Sequence, residues 1–298
     1  MNSLSIVQDA KTMFRFAQNM VKKVVPYDRS ARFDEIQIET TSVCNRSCHF
    51  CPNSVSPPAS SRMPSALFRK IADELENMGY SGNIALYLRN EPFMDKSLHK
   101  NVRLIRDKCP NSYIYIASNG DLVTVEKLIQ VFDAGISSVA LSAYDGKEQA
   151  AAFHALAKKF VSKYPSVDYV SGRRDIRDHT KKYIWVTSYT DDPENFFNRA
   201  GTVSVHAELK KPLPLMCTLP FNQLCITATG EVALCCADWY AEAGLGNVND
   251  HSLLDIWFSP EFISYRDSLS NFDRSKHLCD KCTHKLQDLP SILLKSYF

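Results

Sequence analysis

Three cysteines, Cys44, Cys48 and Cys51, fall within one short stretch in the spacing C-x3-C-x2-C. Thiolates are soft ligands that select iron–sulfur clusters or zinc. A structural zinc wants a fourth ligand close by, and none follows. A [4Fe–4S] cube normally takes four cysteines; with three, one iron keeps an open position for a small ligand. Four more cysteines, Cys217, Cys235, Cys279 and Cys282, lie toward the C-terminus, the last two as a CxxC pair. Taken alone, they suit one fully ligated cluster or a zinc ribbon. Of the remaining three, Cys109 reads as structural and Cys225, in a β-like apolar run, as core. Cys236 directly follows Cys235.

The elements that must position these residues alternate. "FDEIQIET" (33–40) reads as a strand ending just before Cys44. "NIALYLRNEP" (83–92), "SYIYIASNG" (112–120), "SSVALSAYDG" (137–146) and "KYIWVTSY" (182–189) read as further strands. Helices are expected over 64–79, with Ser65 as cap and Gly79 as stop, near 97–107, from 123 to 134 and over 147–163. Strands flanked by helices of this length form parallel β/α units. The loops "TTSVCN", "RNEP", "SNG" and "SAYDG" then converge on the face where barrel sites are built. The alternation stops near residue 205. The expected organisation is an N-terminal helix (1–29), a partial β/α barrel (30–205) and a smaller cysteine-bearing domain (206–298). The charged segment 171–182 is a solvated loop, or an anion or sugar contact through Arg173, Arg174 or Arg177.

The 298 residues are 45% hydrophobic and 23% charged, with a formal net charge of +2, which gives no bulk argument for nucleic acid. No apolar run reaches membrane-spanning length. Ile6, Ala10, Met13, Phe14, Ala17, Met20, Val21 and Val24 follow helical spacing. Asp9, Lys11, Arg15 and Lys22 interrupt them, so the segment lacks the unbroken apolar centre of a signal peptide. It reads as a helix packed on the main domain, or as a membrane-surface helix with Lys22 and Lys23 toward headgroups. Without an export signal, ten cysteines point to metal or redox chemistry in the cytoplasm.

The cysteine triplet and the strand-end motifs together resemble the radical S-adenosylmethionine (SAM) superfamily. In that family three cysteines hold a [4Fe–4S] cluster whose open iron chelates the amino and carboxylate groups of SAM. Reductive cleavage gives a 5′-deoxyadenosyl radical that takes hydrogen from an unactivated carbon. The resemblance implies an α/β fold, a partial (β/α)6 TIM-like barrel. It places Phe50, the aromatic before the third cysteine, in the SAM site. "NEP", Asn90-Glu91-Pro92, stands where the family carries a Gly-Glu-like motif that meets the SAM amino group, and departs from it at the first position. Ser118 and Asn119 of "SNG" resemble the ribose-contacting loop, and Ser142 stands where a polar SAM contact is common.

Cys217, Gly230, Cys235 and the Cys279–Cys282 pair resemble a twitch domain, a shortened SPASM domain with one auxiliary cluster. The resemblance implies two [4Fe–4S] clusters, SAM as cofactor, and a flavodoxin or ferredoxin as reductant. Cys236 is either a buried packing residue or a thiol hydrogen donor of the kind some radical SAM epimerases use. Arg199, in "FFNRAG", binds substrate hydroxyls or forms a structural ion pair. Asp238 and Trp239, in "CCADW", are pocket candidates: a hydroxyl contact or base, and a stacking wall that is equally a core residue.

The short N-terminus and single auxiliary cluster argue against modification of a ribosomal peptide. They resemble members acting on aminocyclitols and aminoglycoside sugars. The expected reaction is hydrogen abstraction from a carbinol carbon of a carbohydrate-like small molecule or aminocyclitol, then epimerisation with Cys236 as donor. The alternative is two-electron dehydrogenation to a ketone through the auxiliary cluster. A non-enzymatic metal-binding scaffold is the reading from another class.

Overall fold

The computed structural model describes residues 28–172, 178, 180–189, 196–204 and 208–284. The expected N-terminal helix, and Arg173, Arg174 and Arg177, lie outside these residues.

Eight strands form one sheet: β1 (Glu35–Ile38), β2 (Asn83–Ala85), β3 (Tyr113–Ser118), β4 (Ser138–Ala143), β5 (Val167–Ser171), β6 (Lys182–Ser188), β7 (Gln223–Ile226) and β8 (Val232–Ala233). Their order is β5-β6-β4-β3-β2-β1-β7-β8. Every pairing from β1 to β7 is parallel, and β8 returns antiparallel on β7. Helices α1 (Ser65–Asn77), α2 (Leu98–Lys108), α3 (Val125–Asp133) and α4 (Lys147–Lys163) follow β1 to β4 in turn. This is the expected α/β partial barrel, with β5 lying outside β6. Three short helices follow: α5 (Leu219–Asn222), α6 (Leu253–Trp257) and α7 (Pro260–Ser270).

Local chemistry sets the element ends. Leu67, Phe68, Ile71, Ala72 and Leu75 give α1 one buried apolar stripe. Ser65 is its first helical residue and makes no cap bond. The chain enters extended from the Thr41–Arg62 bridge through Pro64, so the cap position falls on Pro64. Gly79, with φ +61, ends the helix as expected. β2 is shorter than the sequence suggests. Beyond Leu86 the chain turns, and the Asn90 side chain accepts from Leu88 N at 3.1 Å in place of a ladder bond.

Period-two alternation sorts the sheet's faces. Ile36, Ile38, Ile84, Ile116, Leu141 and Ile226 pack with the helices in the main core. The other, inner face carries Glu35, which registers with Asn83 on one side and Gln223 on the other, and Gln37, which registers with Ala85 and Cys225. Tyr113, Tyr183 and Trp185 form a separate apolar cluster. β7 comes from beyond the boundary expected near residue 205, yet it extends the sheet beside β1. The C-terminal cysteine segment is therefore built onto the barrel's open edge. Among the described residues, no helix is long and apolar enough to cross a membrane.

Candidate functional site

β1 delivers the chain to a loop pinned at several points. Ser42 N donates to Ser61 O at 3.0 Å, Ser42 Oγ to Ala59 O at 2.7 Å, and Glu91 N to Val43 O at 3.1 Å. Cys51 N closes the turn on Cys48 O at 2.9 Å, and Asn53 Nδ2 donates to Arg46 O at 2.7 Å. Cys44, Cys48 and Cys51 are thereby gathered half-buried on one loop, near enough for Cys51 to push up the thiols of the other two. Burial is the larger cause of the upward shift in all three; Arg46 opposes it at Cys48 and Arg199 at Cys51. Sequence reasoning missed Arg46, although it stands between two of the cysteines. Its guanidinium grips Asp121 at 2.5 and 2.6 Å and Asp145 at 2.7 and 3.0 Å. That ties the cysteine loop to the loops after β3 and β4.

Residues expected around SAM lie beside this loop. Glu91 is 1% exposed. Its carboxylate accepts from Phe93 N at 3.0 Å, Ser118 Oγ at 2.8 Å and Asn119 N at 2.8 Å. Burial raises its pKa, and those three donors oppose the rise. The group expected to meet the SAM amino group fastens two loops together. Asn90 supplies an unpartnered donor beside it, its Nδ2 being buried with no hydrogen-bond partner. Asn119 Nδ2 donates to Asn45 Oδ1 at 2.8 Å and lies 3.9 Å from Cys44 Sγ. Ser142 is buried on the inner face of β4 and hydrogen-bonds Tyr144. Phe50 stacks on Phe196 at 4.0 Å and 9°, in an aromatic group with Tyr144 and Tyr189.

The second cysteine set converges as well. Cys217, Cys235, Cys279 and Cys282 line one cavity together with Asp238, Arg274 and His284. Cys217 precedes α5, Cys235 follows β8, and the CxxC pair follows α7. Burial pushes the Cys217 thiol up to about 11 and the Cys279 thiol up to about 12. Among the described residues, no three His, Cys, Asp or Glu side chains converge on a point that would hold a single ion. A zinc with sulfur bonds of about 2.3 Å would require that convergence. Four soft donors around one cavity suit an iron–sulfur cluster. All ten cysteines are unbridged.

His284 is a second residue that sequence reasoning missed; its position two residues after Cys282 was the available signal. Its ring Nδ1 lies 4.0 Å from Cys217 Sγ, and its backbone N donates to Cys282 Sγ at 3.5 Å. Burial, then the neighbouring Arg274 and Arg199 charges, lower the ring pKa to about 4 and keep it neutral.

Arg199 stands between the two sets. Its guanidinium donates to Cys236 O at 3.3 Å and packs 4.5 Å above the Phe197 ring. Its backbone is left-handed, with φ 46, and opens a turn continued by Ala200 and Gly201 at φ 54 and 84. Cys236 is raised by burial, opposed by Arg199, and couples electrostatically to Glu35 and Tyr87 of the inner face. Asp238 has a bracing role that its place in the sequence does not reveal. It is 3% exposed, and its carboxylate accepts from the backbone amides of Leu234, Glu242 and Ala243 at 3.0, 2.8 and 3.3 Å. It braces its own loop. Trp239 is buried, with Nε1 unpartnered and its carbonyl accepting from Arg89 at 2.6 Å. Arg89 also grips Glu39 at 2.6 and 2.9 Å in a buried bidentate pair.

Comparison with known proteins follows these divisions. Residues 38–195 match the Radical SAM superfamily, and residues 217–283 match SPASM, an iron–sulfur cluster-binding domain. The S-adenosyl-L-methionine-dependent 2-deoxy-scyllo-inosamine dehydrogenase of Niallia circulans is 26% identical over 254 residues, covering 85% of this chain and 93% of that protein. The crystal structure of BtrN in complex with AdoMet and 2-DOIA has a TM-score of 0.70 at 25% identity, over 85% of this chain and 94% of that one. BtrN in an open conformation has a TM-score of 0.61 at 22% identity, over 86% and 94%.

Proposed function

Because the chain belongs to the radical SAM superfamily, we propose that it is a dehydrogenase that oxidises one secondary alcohol of an aminocyclitol, or a related polyhydroxylated ring, to a ketone. It is a radical SAM enzyme, and its cofactors are SAM and iron–sulfur clusters. Dehydrogenation replaces the epimerisation expected from Cys236, which the dehydrogenase relative does not support. The observation that carries the reading is the cavity ringed by Cys217, Cys235, Cys279 and Cys282. Removing two electrons requires an acceptor for the second one, and this cavity is where an acceptor cluster would sit.

In this reading Cys44, Cys48 and Cys51 hold the SAM cluster and the four later cysteines hold the auxiliary one. When bound, SAM and its cluster supply a hydrogen-abstracting 5′-deoxyadenosyl radical, and the auxiliary cluster supplies the acceptor for the remaining electron. Phe50, Asn90, Asn119 and Ser142 face SAM, while Glu91 and Ser118 order the loops behind them. The inner face receives the substrate. Asn83 Oδ1 and Gln223 Oε1 are buried there without partners, on either side of Glu35. Hydroxyl and ammonium donors of an aminocyclitol satisfy such acceptors, which are costly to leave unpaired. Arg199 holds a substrate oxygen by a charge-assisted bond. The division at residue 205 separates the radical-forming part from the electron-accepting part. A flavodoxin or ferredoxin supplies the reducing electron, in a reducing compartment such as the cytoplasm.

The test is anaerobic turnover of reconstituted enzyme with reductant, SAM and 2-deoxy-scyllo-inosamine. Equal release of 5′-deoxyadenosine and ketone is expected. An inverted alcohol carrying solvent deuterium would restore the epimerase reading, and no deoxyadenosine with any aminocyclitol would remove the substrate class.

A further inference from the structure

We infer that His284 donates a hydrogen bond from ring Nδ1 to the Cys217 sulfur and thereby raises the reduction potential of the auxiliary cluster. The inference rests on the reading that Cys217, Cys235, Cys279 and Cys282 hold that cluster. His284 addresses the cavity with two atoms, the ring Nδ1 4.0 Å from Cys217 Sγ and the backbone N 3.5 Å from Cys282 Sγ. Its placement is enforced. The ring meets Phe197 edge-on, with centroids 5.1 Å apart and planes at 85°. Its carbonyl accepts from Arg274 at 2.7 Å, and the same guanidinium, 2% exposed overall, donates to Leu215 O at 2.8 Å. One buried arginine therefore fixes both the segment leading into Cys217 and the segment leaving Cys282. His284 lies one residue beyond the SPASM match at 217–283.

A hydrogen bond to a ligating sulfur stabilises the more negative, reduced cluster relative to the oxidised one. The cluster then accepts an electron more readily. In the proposed reaction that electron comes from the substrate radical, so His284 is a positioning and tuning residue without contact to the reacting carbon.

The experiment uses the full chain with Cys44, Cys48 and Cys51 all replaced by Ala, so that only the auxiliary cluster contributes to the EPR spectrum. In that background His284→Leu is expected to make reduction about tenfold less favourable, a fall of about 59 mV in a one-electron midpoint. His284→Gln, which keeps an N–H donor, is expected to recover part of the shift. An unchanged or raised midpoint in His284→Leu overturns the inference. A parallel measurement needs no His284 variant. With ¹⁵N-labelled histidine, pulsed EPR of the reduced cluster should show a weak nitrogen coupling. No coupling, or the strong coupling of a direct iron–nitrogen bond, overturns the inference. Cys217→Ala tests the underlying reading by itself: cluster iron retained in that variant removes Cys217 as a ligand, whatever the midpoint of His284→Leu.

Discussion

The Arg199 guanidinium donates to the carbonyl oxygen of Cys236 at 3.3 Å, while its charge also lowers the pKa of the Cys51 thiol against the effect of burial. One side chain therefore spans the gap between the loop carrying Cys44, Cys48 and Cys51 and the C-terminal cysteine segment. Its stacking on Phe197 fixes the plane of the head group.

Arg199→Lys keeps the charge but loses the planar fork and the stacking surface. Binding of SAM should survive, and use of the radical should not. We expect kcat/KM for the aminocyclitol to fall by at least about 10-fold, equivalent to about 1.4 kcal/mol. Deoxyadenosine should form in excess over ketone. Assaying both products in one reaction checks this; an unchanged ratio with unchanged kcat/KM removes Arg199 from the substrate site.

Glu91→Gln should weaken the mouth without touching a cysteine. The glutamine keeps one acceptor oxygen and turns an NH2 group toward a site where three donors now converge. At least one buried donor loses its acceptor, at about 1–3 kcal/mol. Thermal unfolding should show a lower Tm than wild type, and SAM titration a weaker affinity. A variant equal to wild type in both would mean that the two loops are held by other contacts.

The contrast between Glu91 and the cysteines shows what one dimension of sequence carries. Cys44, Cys48 and Cys51 act through local spacing, and the loops around them follow strands whose periodicity is also local, so both were legible. The partners of a buried polar group are not local. Asp238 sits beside the cysteine pair in the sequence and looked available for chemistry, but the amides of Leu234, Glu242 and Ala243 fold back onto it. Glu39 and Arg89 are 50 residues apart. Their pairing depends on β1 and β2 lying side by side. The attachment of β7 to β1 was hidden for the same reason: no signal in either strand names the other.

The Glu39–Arg89 pair gives a sharper stability test. Glu39 is fully buried and Arg89 nearly so, and the same carboxylate accepts from Ala228 N at 2.9 Å. Glu39→Gln leaves a buried guanidinium without its counter-charge, and breaking such a pair costs about 3–5 kcal/mol. The double variant Glu39→Gln with Arg89→Met removes both charges and should be more stable than the single one. Denaturant unfolding of the three proteins measures the difference. A single variant within about 1 kcal/mol of wild type, the range of exposed pairs, would mean that solvent screens the site.

Cys236 decides between the two fates of the substrate radical. It is raised by burial and coupled to Glu35 and Tyr87 of the inner face, so its location alone fits a hydrogen donor. The proposed dehydrogenation does not use one, because the electron would leave toward the cavity lined by its neighbour Cys235 and the three other cysteines. Cys236→Ala should therefore form ketone at a rate close to wild type, and in deuterated water neither protein should return substrate deuterated at the reacting carbon. The alanine removes the S–H without adding volume, so loss of the fold would be visible as loss of iron. If Cys236→Ala keeps its iron and cleaves SAM but no longer completes turnover, and if wild-type enzyme places one deuterium at an inverted carbon, then the thiol quenches the radical and the reaction is an epimerisation.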